Sequence, residues 1–141
     1  MEKKASTRLR ELLNRRELLV MSGGFSPLHA RMSEMLGYEA FFMSGSQVAA
    51  FVYGYPDVGL LGLHEMVESV RRITNVTGIP VFADADTGYG NAVNVYYTVQ
   101  AYIRAGAAGL HKRSRFRTRP RRRAFETRRR RRAARRASGG G

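Results

Sequence analysis

Asp84 and Asp86 are the residues whose type and spacing point most directly to chemistry. They stand two apart, directly behind the apolar stretch Ile79 to Ala83, and open the glycine-rich run Asp84-Ala85-Asp86-Thr87-Gly88-Tyr89-Gly90. Two hard carboxylate oxygens on a flexible loop suit Mg²⁺, which takes one or two carboxylates and keeps several waters. The plainer reading is a polar loop that caps the next helix. Ser44-Gly45-Ser46 is a second candidate, because glycine lets backbone approach a ligand while amides and hydroxyls hold a carboxylate or oxyanion. Taken alone, an ordinary turn after a strand is the commoner explanation of such a segment. Asp57, behind Pro56, is a third candidate, and most aspartates in that setting only make turns. Gly88-Tyr89-Gly90 is not a dinucleotide fingerprint, since Val93 stands where the third glycine belongs. His29, His64 and His111 lack metal-ligand spacing; of the three, His111, ending a strand, is the one placed for a pocket role. The chain has no cysteine, which removes disulfides, thiolate metal sites and a thiol nucleophile.

Positioning these groups takes alternating strands and helices. Residues 6–16 read as a helix capped by Ser6 or Thr7, with Leu9, Leu12 and Leu13 on one face. Leu18-Leu19-Val20 reads as a strand buried on both faces, broken by Gly23-Gly24. Ser26-Pro27 starts a helix whose stripe is Leu28, Met32, Met35 and Leu36, and Gly37 ends it. Ala40 to Met43 is a second strand, followed by a long loop containing Gly54, Pro56-Asp57 and Gly59. A helix from about Leu63 to Asn75 presents Leu63, Met66, Val67, Val70 and Ile73 on one face. The third strand is Ile79 to Ala83. Asn91 caps a helix to about Arg104, on which Tyr96, Tyr97 and Tyr102 read as core, and Ala108 to His111 is the fourth strand. Four such units predict right-handed βαβ crossovers and a parallel sheet, either open and doubly wound or half of a barrel.

The charge divides the chain in two. The formal net charge is +14, yet residues 1–111 hold 10 basic and 10 acidic side chains. Residues 112–141 hold 15 basic residues and one acid, Glu126, and no Leu, Ile, Val, Met or Tyr. A segment of that composition buries too little apolar surface to offset its ordering entropy, so the expectation is a disordered tail. It would hold nucleic acid only non-specifically, through its arginines and with strong salt dependence. The charged start Met1-Glu2-Lys3-Lys4 leads into no apolar segment, and no stretch of about 18 uncharged apolar residues occurs. A cytoplasmic protein without a membrane segment is the expectation.

Taken together, several segments resemble the isocitrate lyase / phosphoenolpyruvate mutase superfamily, in particular its short members such as carboxyvinyl-carboxyphosphonate phosphorylmutase, methylisocitrate lyase and oxaloacetate decarboxylase-like proteins. The resemblance runs from about Leu9 to His111. It is carried by Leu9-Arg10-Glu11-Leu12-Leu13, by Ser44 to Ala50, by Tyr55 to Leu60, by Val81 to Asn91 and by Ala105 to His111, in order and at the right spacing. It implies the N-terminal half of a TIM-type (β/α)8 barrel, about four βα units, with a basic tail. It further implies a lyase or mutase that breaks or makes C–C or C–P bonds in a small 2-oxo acid or phosphonate through an enolpyruvate-type intermediate. On the same ground Asp84 and Asp86 match the metal-binding carboxylates, for Mg²⁺ or alternatively Mn²⁺. Ser44, Gly45 and Ser46 match the loop that holds the substrate carboxylate, and Asp57 matches a further active-site carboxylate. Full-length members are expected to form homo-oligomers.

The chain also departs from the pattern. Phe25-Ser26-Pro27 replaces a Tyr-Asp-Ala-like start, and Lys112-Arg113-Ser114-Arg115 stands where the family continues Ile-Glu-Asp-Gln. The family's Lys/Arg-Cys-Gly-His loop is absent. Resemblance and composition change at the same point, which a reading-frame shift at codon 111 or 112 explains. The expectation is a truncated, inactive portion of such an enzyme over 1–111, joined to a basic segment over 112–141. The alternative is a nucleic-acid-binding protein that works through that segment.

Overall fold

The computed structural model describes residues 3–113. The expectation of disorder beyond them falls, apart from Lys112 and Arg113, outside the described residues. Among these residues a leading helix, three βα units and a fourth strand follow one another. They comprise helix α1 (Ala5–Leu13), strand β1 (Ser22–Gly24), α2 (Pro27–Met35), β2 (Phe41–Met43), the short α3 (Gly45–Gln47), α4 (Leu63–Thr74), β3 (Val81–Asp84), α5 (Ala92–Arg104) and β4 (Gly109–His111). The strands form one parallel sheet in the order β1-β2-β3-β4, with Phe42 level with Phe82 and Asp84 level with His111. A doubly wound sheet reverses its strand order at a switch point. This sequential order does not, so of the two candidate architectures it fits a barrel portion.

Alternation along the strands sorts side chains to two faces. Phe41, Met43, Val81 and Ala83 are buried against the helices, where Val70 and Ile73 of α4 and Tyr102 of α5 meet them. The α4 face reads correctly from the sequence, since Met66, Val70 and Ile73 recur at helical spacing and all three are buried. Its first turn is fixed by Glu65, whose carboxylate accepts from the Gly62 amide at 3.0 Å. A second cluster forms where α1 lays Leu9 against Ala40 and Ala108, with Phe82 beside it.

Four expectations are corrected. The first strand is not Leu18–Val20. Leu18 is 88 % exposed, and the strand is formed by the Ser22-Gly23-Gly24 segment that reads as a breaker. Packing explains why glycine is used there, because a methyl group on Gly24 would lie 2.8 Å from His29 Cβ and 2.9 Å from Phe41 Cζ. The apolar stripe of α2 faces outward, and the helix docks instead through its small residues Ala30 and Ser33. Ser33 Oγ donates to His29 O at 2.7 Å and accepts from Ser22 Oγ at 2.6 Å, so the contact with β1 is close and polar. On α5 only Tyr102 is core; Tyr96 and Tyr97 are exposed. The first helix starts earlier than read, with Lys4 rather than Ser6 or Thr7 at its N-cap and no side-chain cap bond. Ser26 does cap α2, accepting from the His29 amide at 3.3 Å, and Asn91 caps α5, accepting from Val93 and Asn94.

No described helix is long and apolar enough to cross a membrane.

Candidate active site

The parallel topology delivers the C-terminal ends of β2, β3 and β4 to one side, where sites on such sheets are built. Gly45, Asp57, Asp84 and Asp86 line one cleft there, together with Tyr89 and Arg113. Ser44 and Ser46 are adjacent, with their hydroxyls 3.0 Å apart, but they are not among the lining residues. His111 contributes backbone rather than a side chain, as its carbonyl accepts from the Ala85 amide at 2.8 Å. The stretch after β2 is more ordered than the loop expected from the sequence. It winds into α3 and continues as a π-helical turn over Val48–Val52, a local geometry common at functional sites.

Several bonds fix the Asp84–Gly90 turn. Asp84 Oδ1 accepts from the Asp86 amide at 2.9 Å. Its other oxygen, Oδ2, lies against α3, 2.9 Å from where a methyl on Gly45 would sit. Only glycine therefore leaves that carboxylate in place. Asp86 and Tyr89 both have left-handed backbone, at φ 44° and 56°. Aspartate tolerates this region, whereas for tyrosine it is strain of the kind that clusters at functional sites. The strain is held by Thr98, whose buried hydroxyl donates to Gly88 O at 3.1 Å, and by a tyrosine relay. Tyr102 Oη donates to Asp84 O at 2.9 Å. Having used its one hydrogen there, Tyr102 accepts from Tyr89 Oη at 3.2 Å.

Burial raises the Tyr89 hydroxyl to about 12, with the Tyr102 bond opposing and the Asp86 and Asp84 carboxylates adding to the rise. Burial also raises Tyr102, reinforced by Tyr89 and Asp84. An unfolded tyrosine ionises near 10. A folded value raised above the unfolded one means the stabilisation is complete below pH 10 and is lost as pH climbs toward and through the folded values. The urea midpoint should therefore hold up to pH 10 and fall between pH 10 and 12. A constant midpoint across that window would contradict the relay.

The carboxylates fit a divalent ion in the chemistry of their donors. Asp84 Oδ2 is not used by the turn, and Asp86 Oδ2 faces the Gly59 backbone. Among the described residues no group of three or more acidic, histidine or cysteine side chains is placed to hold a metal ion, so the carboxylate donors at this turn are at most this pair. Asp86 Oδ1 is already engaged by Arg113 Nη2 at 3.1 Å. Tyr89 and Arg113 are the polar lining residues that sequence reasoning passed over. The glycines on either side of Tyr89 were its only signal, and Arg113 reads from composition as part of the basic tail.

The family model for phosphoenolpyruvate phosphomutase matches residues 9–138, extending past the His111 boundary suggested by the motifs. Oxaloacetate decarboxylase of Paraburkholderia xenovorans (strain LB400) is 46 % identical over 103 residues, which is 73 % of this chain and 34 % of that protein. The crystal structure of 2,3-dimethylmalate lyase superposes with a TM-score of 0.74 at 34 % identity, covering 84 % of this chain and 42 % of that one. Phosphonopyruvate hydrolase, solved with oxalate and Mg²⁺, gives a TM-score of 0.70 at 34 % identity, covering 77 % and 38 %. The chain thus spans only about a third to two fifths of the length of these relatives, all of a superfamily built on the TIM barrel. Its sequential parallel sheet, its acidic cleft at the strand ends and these matches agree, and the chain belongs to the phosphoenolpyruvate phosphomutase family of lyases and mutases.

Proposed function

We propose that the described residues form the carboxylate end of a Mg²⁺-dependent active site for a small 2-oxo acid or phosphonate, and that the 141-residue chain by itself does not turn over. The observation that carries the reading is the convergence of Asp84, Asp86, Asp57 and Gly45 on one cleft at the strand ends. Asp84 and Asp86 would hold the ion, and Mn²⁺ has the same ligand preference for carboxylate and water. When bound, the ion supplies Lewis-acid stabilisation of the enolate oxygen that develops as a bond next to the substrate carbonyl breaks. The protein's part is positional. The turn presents Asp84 Oδ2 toward α3, and the Gly45 backbone, which lines the cleft between Ser44 and Ser46, would receive the substrate carboxylate; the two serine hydroxyls would have to turn from each other to join it. Asp57, exposed on its loop, would face the reacting end.

The lack of turnover is proposed for these 141 residues alone, which span about a third of the matched relative and contain no cysteine for the family's Lys/Arg-Cys-Gly-His loop. Oxalate, bound with Mg²⁺ by a relative, is the natural probe. Calorimetric titration of the chain with oxalate should give heat only when Mg²⁺ is present, while oxaloacetate or phosphonopyruvate stays intact in an overnight incubation. Oxalate binding that ignores Mg²⁺, or measurable product, would overturn one half of the reading each.

A further inference from the structure

Arg113 is the cation of the cleft. Its guanidinium pairs with Asp86 Oδ1 at 3.1 Å, and its backbone amide donates to Asp86 O, so the residue is anchored twice to the turn it neutralises. The Lys112 stem lies against Gly88 and holds the segment over the same turn. Asp57 and Asp84 line the same cleft as Arg113 and Asp86. The cleft is open to solvent, and Arg113 lies on its lining beside Asp86. An ion that uses Asp86 Oδ1 has to displace the guanidinium from that oxygen.

We propose that Arg113 is a tethered competitor of the divalent cation, occupying Asp86 Oδ1 until an ion displaces it. The inference rests on the metal reading above and adds an internal opponent to it. Its size follows from exposure. The Arg113 side chain is 55 % exposed and that of Asp86 26 %, so water and salt screen the pair and the competition is moderate. Displacement costs the ion pair, and the displaced guanidinium still repels a dication nearby.

The test is a Mn²⁺ titration of the full chain, read by the electron paramagnetic resonance of the free hexaaquo ion, which needs no turnover. Arg113→Ala should bind Mn²⁺ about two- to fivefold more tightly than wild type, consistent with a screened pair of this kind. Arg113→Lys, which keeps the charge but loses the planar fork, should fall between them. The gap between wild type and Arg113→Ala should narrow at high salt, where exposed charges are screened. Arg113→Gln, checked by circular dichroism for an unchanged fold, serves as a second neutral variant. Equal Mn²⁺ affinity in wild type and both neutral variants, with binding still dependent on Asp84, overturns the competitor role and leaves the metal site standing. Absence of Asp84-dependent binding in every variant overturns the metal reading, and the competitor role with it.

Discussion

Asp84→Ala should abolish divalent-ion binding, lowering Mn²⁺ affinity by at least ~100-fold, or about 2.8 kcal/mol at 1.4 kcal/mol per tenfold. The size follows from the small donor set. Mg²⁺ and Mn²⁺ at such a site take one or two protein carboxylates and fill the rest of their shell with water. Asp84 is the better placed of the two, because Asp86 shares an oxygen with Arg113 while Asp84 Oδ2 points free toward Gly45. The alanine variant also deprives the Asp86 amide of its acceptor, so a loss of binding could reflect a collapsed turn. Asp84→Asn separates the two effects. Its amide oxygen can still accept from Asp86, so the turn is retained while the charge is lost. Both variants should lose Mn²⁺ binding, and only Asp84→Ala should also lose stability. Calorimetry or spin-resonance titration beside thermal unfolding reads both quantities. Retained affinity in Asp84→Asn would remove this residue from the metal site. The contrast is best measured with Arg113→Ala as background, where the site is expected to bind most tightly.

The second large effect lies away from the cleft. Tyr102→Ala should destabilise the chain by about 3–5 kcal/mol, the range for deleting a buried aromatic side chain. Tyr102 is among the largest fully buried side chains, wedged between α5 and the β3 end of the sheet. Tyr102→Phe should cost about 1–3 kcal/mol, because the ring stays while Asp84 O loses its donor and Tyr89 Oη its acceptor. The difference between the two variants measures packing, and the phenylalanine effect measures the relay. The phenylalanine variant carries a second signature, a weaker fall of stability between pH 10 and 12. If Tyr102→Phe unfolds at the wild-type urea concentration, the hydroxyl does not hold the turn. The whole sheet is vulnerable to such losses. Among the described residues it has four short strands, and β1 and β4 each have only one strand neighbour; an unpaired strand edge is a known route to association between chains.

How much of this was legible in the sequence depended on how local the cause was. Asn91 and Ser26 were readable as caps, and Gly37 as a stop, because each acts within one turn of its own helix. The α4 face was readable because 3.6-residue spacing places Met66, Val70 and Ile73 together whatever they meet. The α2 stripe misled for the complementary reason. Periodicity shows that a helix has an apolar side, but the neighbours decide which side docks, and Ala30 and Ser33 let α2 approach Gly24 more closely than leucines could. The first strand was displaced by the same close approach, which glycine permits and local propensity penalises.

By itself the sequence determined the βαβα order, the neutral and basic halves, and the residue types at Asp84, Asp86, Asp57 and Ser44–Ser46 that carry the family resemblance. Only the tertiary structure decided that Gly45 and the aspartates share a cleft, that Ser44 and Ser46 do not line it, and that Arg113 does. The reason is that strand register is a long-range property. Asp84 meets His111, and Arg113 meets Asp86, only because β3 and β4 pair in parallel across an intervening helix. Nothing in the composition of a basic segment shows which of its arginines the last strand leaves beside a carboxylate.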